Sequence, residues 1–120
     1  MTAGQRLTCS WAAAGRGTGR LTLVGDLDYD HADELHRVLV EGLAAQPGLR
    51  AVHLDCAEVA FCDSSGLSAL LMAHRHVRAA GARLHLDNLQ PGLTRLLELT
   101  RTLEYLTADG APPRAEQLDT

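Results

Sequence analysis

The chain has 120 residues, 46% of them apolar, and a formal net charge of −4, which fits one globular domain with an ordinary core. Its acidic balance argues against a nucleic-acid surface, which needs clustered lysines and arginines, and suits a basic protein partner better. No stretch approaches the ~18 apolar residues that span a bilayer, and the N-terminus lacks the charged and then apolar order of a signal peptide. We therefore expect a cytoplasmic protein with neither nucleic acid nor membrane as its partner.

The cysteines and histidines do not follow a metal-site pattern. Cys9, Cys56 and Cys62 are odd in number and lack a Cys-x-x-Cys spacing. His74 and His76 are two apart in a predicted helix, whereas ligand pairs on a helix are three or four apart. We interpret the cysteines as small buried apolar residues and the histidines as ordinary surface or core residues, so no metal site is expected.

The first elements in the chain are a predicted hairpin. Leu7 to Ala13 alternates apolar and polar side chains with a period of two, and Arg20 to Gly25 shows the same alternation. Gly15, Gly17 and Gly19 lie between these strands. A phosphate cradle is the alternative interpretation of the glycines, but no Lys-Ser or Lys-Thr pair follows and the next element is a strand rather than a helix. We therefore predict a hairpin connection.

A helix and a third strand follow. Asp30 is predicted to cap a helix from His31 to Ala45, because its carboxylate can accept hydrogen bonds from the first amides. Pro47-Gly48 ends that helix, and Arg50 to Asp55 is predicted as the third strand. A strand, a helix and a strand in succession imply a crossover connection, so the second and third strands should pair in parallel.

Two acidic loops leave these parallel strands. Asp26 to Asp30 starts like a calcium loop, but the pattern fails at His31, where glycine is required, and at Arg37, where the last glutamate should be. Cys56 to Ser64 is the second loop. Sites in parallel sheets lie beyond the carboxyl ends of the strands, so both loops can converge on one surface.

The stretch Asp63-Ser64-Ser65-Gly66-Leu67 opens the next predicted helix. Leu67, Leu70, Leu71, His74 and Val77 share one face of it. Asp and Ser are typical caps, because their side-chain oxygens accept hydrogen bonds from the first amides. The same amides and the helix dipole also favour a phosphate. The stretch alone is therefore compatible with a simple cap and with a phosphorylation site.

The rest of the chain completes one domain. The helix from Ser64 to about Ala80 ends at Gly81, and Arg83 to Asp87 is a fourth predicted strand. Pro91 to Leu99 is a predicted short helix, and Glu104 to Thr107 a predicted fifth strand. We expect the domain to span residues 1–108 and residues 109–120 to form a flexible tail.

Three blocks in register resemble the STAS domain of bacterial anti-sigma factor antagonists. They are Gly25-Asp26-Leu27-Asp28, Phe61 to Leu67, and Pro91 to Glu98, and the resemblance covers roughly Leu7 to Ala108. It implies an α/β fold in a single domain, with a mixed sheet of four to five strands and helices packed mainly on one face. Asp26 stands where glutamate is more usual in the family, which keeps the charge.

The resemblance also implies a function. In the family, the first serine of the Asp-Ser-Ser-Gly motif is phosphorylated by the partner anti-sigma factor, a serine kinase that supplies ATP; here that serine is Ser64. Unphosphorylated, the chain would bind the kinase and indirectly release a sigma factor. The partner-binding residues implied are Asp26, Asp28, Asp63, Ser64, Ser65, Gly66 and Leu67.

Several departures and alternatives accompany this expectation. The hairpin is longer than the family's and the C-terminal helix is reduced, which could change partner choice or dimerisation, so a homodimer stays open. The main alternative is a non-switching scaffold or a transporter-associated STAS subunit, in which Ser64 only caps a helix. A serine hydrolase is disfavoured, because the chain lacks a Gly-x-Ser-x-Gly elbow and His74 and His76 lie far along the same helix. We therefore expect no enzyme activity.

Overall fold

The structure is a computed structural model, and it describes residues 6–107. Within this range the chain forms four strands and four helices. In order they are β1 (Thr8–Ala13), β2 (Thr18–Leu27), α1 (Ala32–Ala45), β3 (Ala51–Cys62), α2 (Ser64–Ala79), β4 (Arg83–Asp87), α3 (Pro91–Leu99) and α4 (Leu103–Thr107). The predicted tail, residues 109–120, lies outside the described residues.

The four strands form one mixed sheet in the order β1-β2-β3-β4. β1 pairs antiparallel with β2 through the hairpin, whereas β2 with β3 and β3 with β4 are parallel. The glycine-rich turn, the crossover through α1 and the parallel pairing follow the sequence pattern. The predicted α/β class with a mixed sheet is therefore confirmed.

The main helices cover one face of this sheet. Alternate side chains of the central strands are buried completely, among them Leu21 and Leu23 of β2 and Leu54 of β3. Their neighbours Thr22 and His53 are only half-buried, because successive side chains of a strand point to opposite faces. α1 packs on β1, β2 and α2, while α2 packs on β3 and β4. The core thus lies between the sheet and this helix pair.

β3 is longer than the sequence analysis predicts. The predicted strand stops at Asp55, but β3 continues to Cys62. The register shows why: β3 carries one extra residue opposite β2 between Asp55 and Glu58, and another between Val59 and Phe61. Such a bulge interrupts the alternation of apolar and polar residues, and the interruption imitates the end of a strand. Part of the predicted Cys56 to Ser64 loop is therefore strand.

Two other local predictions are wrong. The predicted fifth strand is the helix α4, in which the Leu106 amide donates to the Thr102 carbonyl oxygen at 3.0 Å. A segment of four residues is too short to distinguish strand from helix by its period, and here the buried Leu106 lies three residues from Leu103, a helical spacing. Asp30 is not the cap of α1 either, because the cap position is His31 and carries no side-chain cap bond.

His74 of α2 is a buried histidine in the core, 1% exposed. Neither ring nitrogen has a hydrogen-bond partner within residues 6–107, and the ring lies 4.3 Å from that of Tyr105 on α4. Burial, and secondarily the charge of Arg78, lowers the pKa of His74 below its ordinary value. The folded protein therefore holds this imidazole neutral.

The protein should lose stability on mild acidification because of His74. The unfolded chain binds the proton more readily than the folded one, so the free energy of unfolding should fall as the pH drops below about 6.5. Urea unfolding at about pH 7.5 and about pH 5.5 measures this difference. We expect His74→Phe to show a smaller pH dependence, and His85→Gln, which removes an exposed histidine of β4, to behave as the parent. An equal pH dependence in His74→Phe would contradict the prediction.

Candidate functional site

The two acidic loops meet at the carboxyl ends of β2 and β3, as the parallel pairing predicts. The Asp63 amide donates to the Leu27 carbonyl oxygen at 3.3 Å. The Tyr29 amide donates to Oδ2 of Asp63 at 3.1 Å. These two bonds join the loop before α1 to the residue before α2, so the starts of both helices belong to one surface.

Asp63 is the cap of α2. Its backbone is extended, and its Oδ1 accepts a hydrogen bond from the Gly66 amide at 2.9 Å. The bond from Gly66, and then those from Tyr29 and Ser65, lower the pKa of Asp63 below its ordinary value. Both carboxylate oxygens are therefore engaged, one by the first turn of α2 and the other by the neighbouring loop.

Ser64 does not cap α2. It is the first residue of α2, it is exposed, and its hydroxyl makes no hydrogen bond within residues 6–107. The sequence left a cap and a phosphorylation site as alternatives for the stretch. In the structure Asp63 caps the helix, and Ser64 is exposed at the helix start.

Gly66 lets α2 approach the end of β2. A Cβ atom at this position would overlap the Leu27 carbonyl oxygen and would also lie 2.8 Å from Sγ of Cys62. That carbonyl oxygen is the acceptor of the Asp63 amide. The glycine of the motif therefore permits the close approach on which the geometry around Ser64 depends.

Asp28 builds the neighbouring loop. Its Oδ1 accepts a hydrogen bond from the His31 amide at 3.1 Å and lies 2.7 Å from Nδ1 of His31. The Asp28 carbonyl oxygen also accepts bonds from the amides of His31 and Ala32. Asp28 thus stabilises the turn that leads into α1, and this turn holds the loop that carries Tyr29.

The predicted partner-binding residues differ in exposure. Ser64 is exposed, and Asp28, Asp63, Ser65 and Leu67 are half-buried around it. Gly66 is buried under the first turn of α2. Asp26 lies within β2 opposite Phe61 and is only 7% exposed, so it lies beneath this surface rather than on it.

Two exposed aromatic residues near Ser64 were missed by the sequence analysis. Tyr29 is 79% exposed and its amide is bound to Asp63, whereas Phe61 is 55% exposed and precedes Asp63 by two residues. The chain has only four aromatic residues among Phe, Trp and Tyr, and two of them lie close in sequence to the acidic residues Asp28 and Asp63. That coincidence was the available signal, since aromatic residues are enriched where protein partners bind tightly.

The remaining reactive groups show no catalytic arrangement. Burial raises the pKa of the Cys9 and Cys56 thiols to about 12 and that of Cys62 to about 11, so all three stay protonated at neutral pH. Residues 6–107 contain no cluster of three or more His, Cys, Asp or Glu that could hold a metal ion. In the same range, every helix is too short or too polar to cross a membrane.

The fold and the site define a small mixed α/β domain that presents one serine at a helix start, where two loops are joined by a capping aspartate. A sequence model of the family described as "Mlab, STAS domain" matches residues 11–106. The chain belongs to this STAS family, and the resemblance seen in its three sequence blocks is confirmed.

Solved structures share this fold at low sequence identity. An anti-sigma factor antagonist from Mycobacterium paratuberculosis is 20% identical with a TM-score of 0.68, over 97% of this chain and 93% of that one. The Bacillus cell fate determinant SpoIIAA, in its phosphorylated form, is 19% identical with a TM-score of 0.63, over 93% and 96%. The murine anion transporter Slc26a9 is 12% identical with a TM-score of 0.65, and 79% of this chain matches 18% of the transporter.

Proposed function

We propose that this protein is an anti-sigma factor antagonist. It binds an anti-sigma factor that is a serine kinase, thereby releases a sigma factor in the cytoplasm, and is switched off when Ser64 is phosphorylated. The exposed hydroxyl of Ser64, next to an aspartate that already caps the helix, is the observation that carries the proposal. Two similar structures, from Mycobacterium paratuberculosis and Bacillus, are described as an anti-sigma factor antagonist and as a phosphorylated determinant of cell fate, which supports it.

The chemistry of the switch belongs to the partner. Ser64 Oγ attacks the γ-phosphorus of ATP held by the kinase, the new O–P bond forms as the bond to ADP breaks, and the hydroxyl proton passes to a base of the kinase. Within residues 6–107 no histidine or carboxylate is hydrogen-bonded to the Ser64 hydroxyl, so the chain offers it no general base of its own. In this proposal the chain is a substrate and a binding partner, not an enzyme, and needs no cofactor.

The added phosphate acts on the interface rather than on the fold. It brings about −1.5 to −2 charges to a surface that already carries Asp28 and Asp63. The first turn of α2 is held by hydrogen bonds to Asp63 and by Gly66, not by the Ser64 side chain. The domain should therefore stay folded, while the phosphate repels any single acidic group that the partner places close to Ser64 in the complex.

Tyr29→Ala should weaken binding of the anti-sigma factor about tenfold, because a large exposed ring, on the loop that is bonded to Asp63, would lose its contact area in the complex. The matched control is Val40→Ala, which trims an exposed apolar side chain on the later part of α1. Isothermal titration against each purified anti-sigma factor kinase of the same organism measures both. The proposed surface is wrong if Tyr29→Ala and Val40→Ala bind equally well.

A second function is favoured by a specific observation. The transporter Slc26a9 contains a domain of the same fold, and the matching family model is described by the name Mlab rather than by sigma-factor regulation. In that function the chain would be a non-switching subunit of a transport complex, and Ser64 would not be phosphorylated. Ser64→Ala and Ser64→Asp would then assemble into the transport complex equally well. A phosphorylation switch predicts instead that the two variants bind their partner differently.

A further inference from the structure

β3 extends beyond the end of β4 and leaves one edge of the sheet open. The last pair between these strands is Asp55 with Asp87, whereas β3 continues to Cys62. β2 pairs with this extension along one edge, from Glu58 to Cys62. Along the other edge, no strand in the described range pairs with residues 57–62. Backbone donors and acceptors on an unpaired edge are a template for another strand.

The chain itself turns away from this edge. Asn88 follows β4 with a positive φ of 58°, a conformation that Asn tolerates, and its side-chain amide donates to Oδ1 of Asp55 at 3.0 Å. The side-chain amide of Gln90 then donates to the carbonyl oxygen of Ala57. Side chains thus satisfy both backbone groups of Ala57, because its amide donates to Oδ1 of Asp55 at 3.1 Å. Within residues 6–107, the backbone of the strand edge that follows, residues 58–62, has no such side-chain partner.

α3 lies opposite the open edge and forms the second wall of a groove. This β3–α3 groove, lined by residues 57–62, 90–93, 95, 96 and 99, has a volume of about 750 Å³. Its walls are largely apolar, and two of its side chains are strongly exposed, Phe61 at 55% and Leu99 at 71%. Glu58 and Arg95 also line it, and neither forms an ion pair within residues 6–107. The groove therefore offers backbone pairing on one side and apolar contact on the other.

We propose that the β3–α3 groove binds an extended segment of the anti-sigma factor, which adds a strand to the open edge of β3. This step rests on the proposed function, because the occupant is taken to be the partner that docks at Ser64. The groove is continuous with that site, since β3 runs through Phe61 and Cys62 directly to Asp63. Six residues paired with positions 57–62 span about 20 Å and end beside Ser64.

The chemistry of the groove defines the segment. Its backbone pairs with β3, alternate apolar side chains pack against Phe61, Leu96 and Leu99, and one acidic and one basic side chain meet Arg95 and Glu58. A helix would leave the backbone groups of the strand edge unpaired, which favours an extended occupant. A partner anchored by the groove would present the same region of its surface to Ser64 in each complex.

The first test uses Leu99→Glu and the anti-sigma factor kinase that binds the parent chain. Leu99 is exposed, so the variant should fold normally, but we expect its affinity to fall at least tenfold, with Val40→Glu on α1 as the matched control. Hydrogen exchange of the amides in residues 57–62 should slow in the complex. If Ser64→Asp abolishes binding while Leu99→Glu and the exchange at 57–62 show no effect, the groove proposal is wrong and the proposed function stands.

The second test does not depend on the kinase. Random peptides of about ten residues are selected on the immobilised chain. We expect apolar, strand-forming peptides that slow exchange at residues 57–62 and lose binding to Leu99→Glu. Selected peptides that protect only other regions would overturn the proposal. Hydrogen exchange at residues 57–62 is also measured on the chain alone at increasing concentration. If this exchange slows, the groove binds a second copy of the chain, and the proposal is wrong.

Discussion

Phosphorylation of Ser64 should weaken the complex with the anti-sigma factor about a hundredfold or more. A unit charge added ~5 Å from a partner acid, at an effective dielectric constant near 20, costs roughly 3 kcal/mol. This energy corresponds to about a hundredfold in affinity, and a phosphate carries more than one charge. Ser64→Asp should reproduce most of this loss, whereas Ser64→Ala should bind like the unmodified chain and should no longer respond to ATP.

The negative charge should weaken binding because of its position at Ser64, and not because it changes the net charge of the chain. Ser10→Asp is the matched control, since Ser10 is an exposed serine on β1 and the substitution is the same. We expect it to bind like the parent in the same titration. Equal affinities for Ser64→Asp and the parent chain would argue for the non-switching subunit instead.

Gly66→Ala should lower the free energy of unfolding by about 3 kcal/mol, near the upper end for overpacking, because its Cβ would overlap a backbone carbonyl rather than a movable side chain. To relieve the overlap, the first turn of α2 must move away from Leu27. That movement would strain the bonds through which Asp63 joins the two loops. We therefore expect a loss of partner binding in addition to the loss of stability.

Gly92→Ala is the control for this prediction. Gly92 also lies in the first turn of a helix, but a Cβ there would meet no heavy atom within 4 Å. Alanine is the better helix former, so this variant should be as stable as the parent or slightly more stable. Urea unfolding at one pH measures both variants. If Gly66→Ala unfolds at the same urea concentration as Gly92→Ala, the prediction that α2 packs too closely against Leu27 to accept a Cβ at residue 66 is wrong.

Much of the architecture can be predicted from the sequence because it follows from local patterns. The alternation in Leu7 to Ala13, the glycine-rich turn and the strand-helix-strand order determine the hairpin, the crossover and the parallel pairing. Parallel pairing in turn predicts that the two loops lie at one end of the sheet. The assignment of an Asp or Ser cap to the start of α2 needs only the preference of helix starts for these residues.

The incorrect predictions concern features that local patterns do not determine. The bulges in β3 interrupt the alternation after Cys56, so the predicted strand is too short and the open edge is not anticipated. The predicted fifth strand, Glu104 to Thr107, has only four residues, which is too few to show a distinct period, and the helical form of α4 depends on the burial of Leu106 in the core. The burial of Asp26 and the exposure of Tyr29 depend on how the loops pack.

The most direct measurement is the transfer of phosphate to this chain. The purified chain is incubated with ATP and each anti-sigma factor kinase of the same organism, and the modified residue is located by mass spectrometry. We predict one phosphate per chain on Ser64, undiminished in Ser68→Ala, which removes the other exposed serine of α2, and absent in Ser64→Ala. Phosphate incorporated equally well by Ser64→Ala would contradict the account, as would a chain that binds its kinase and remains unmodified.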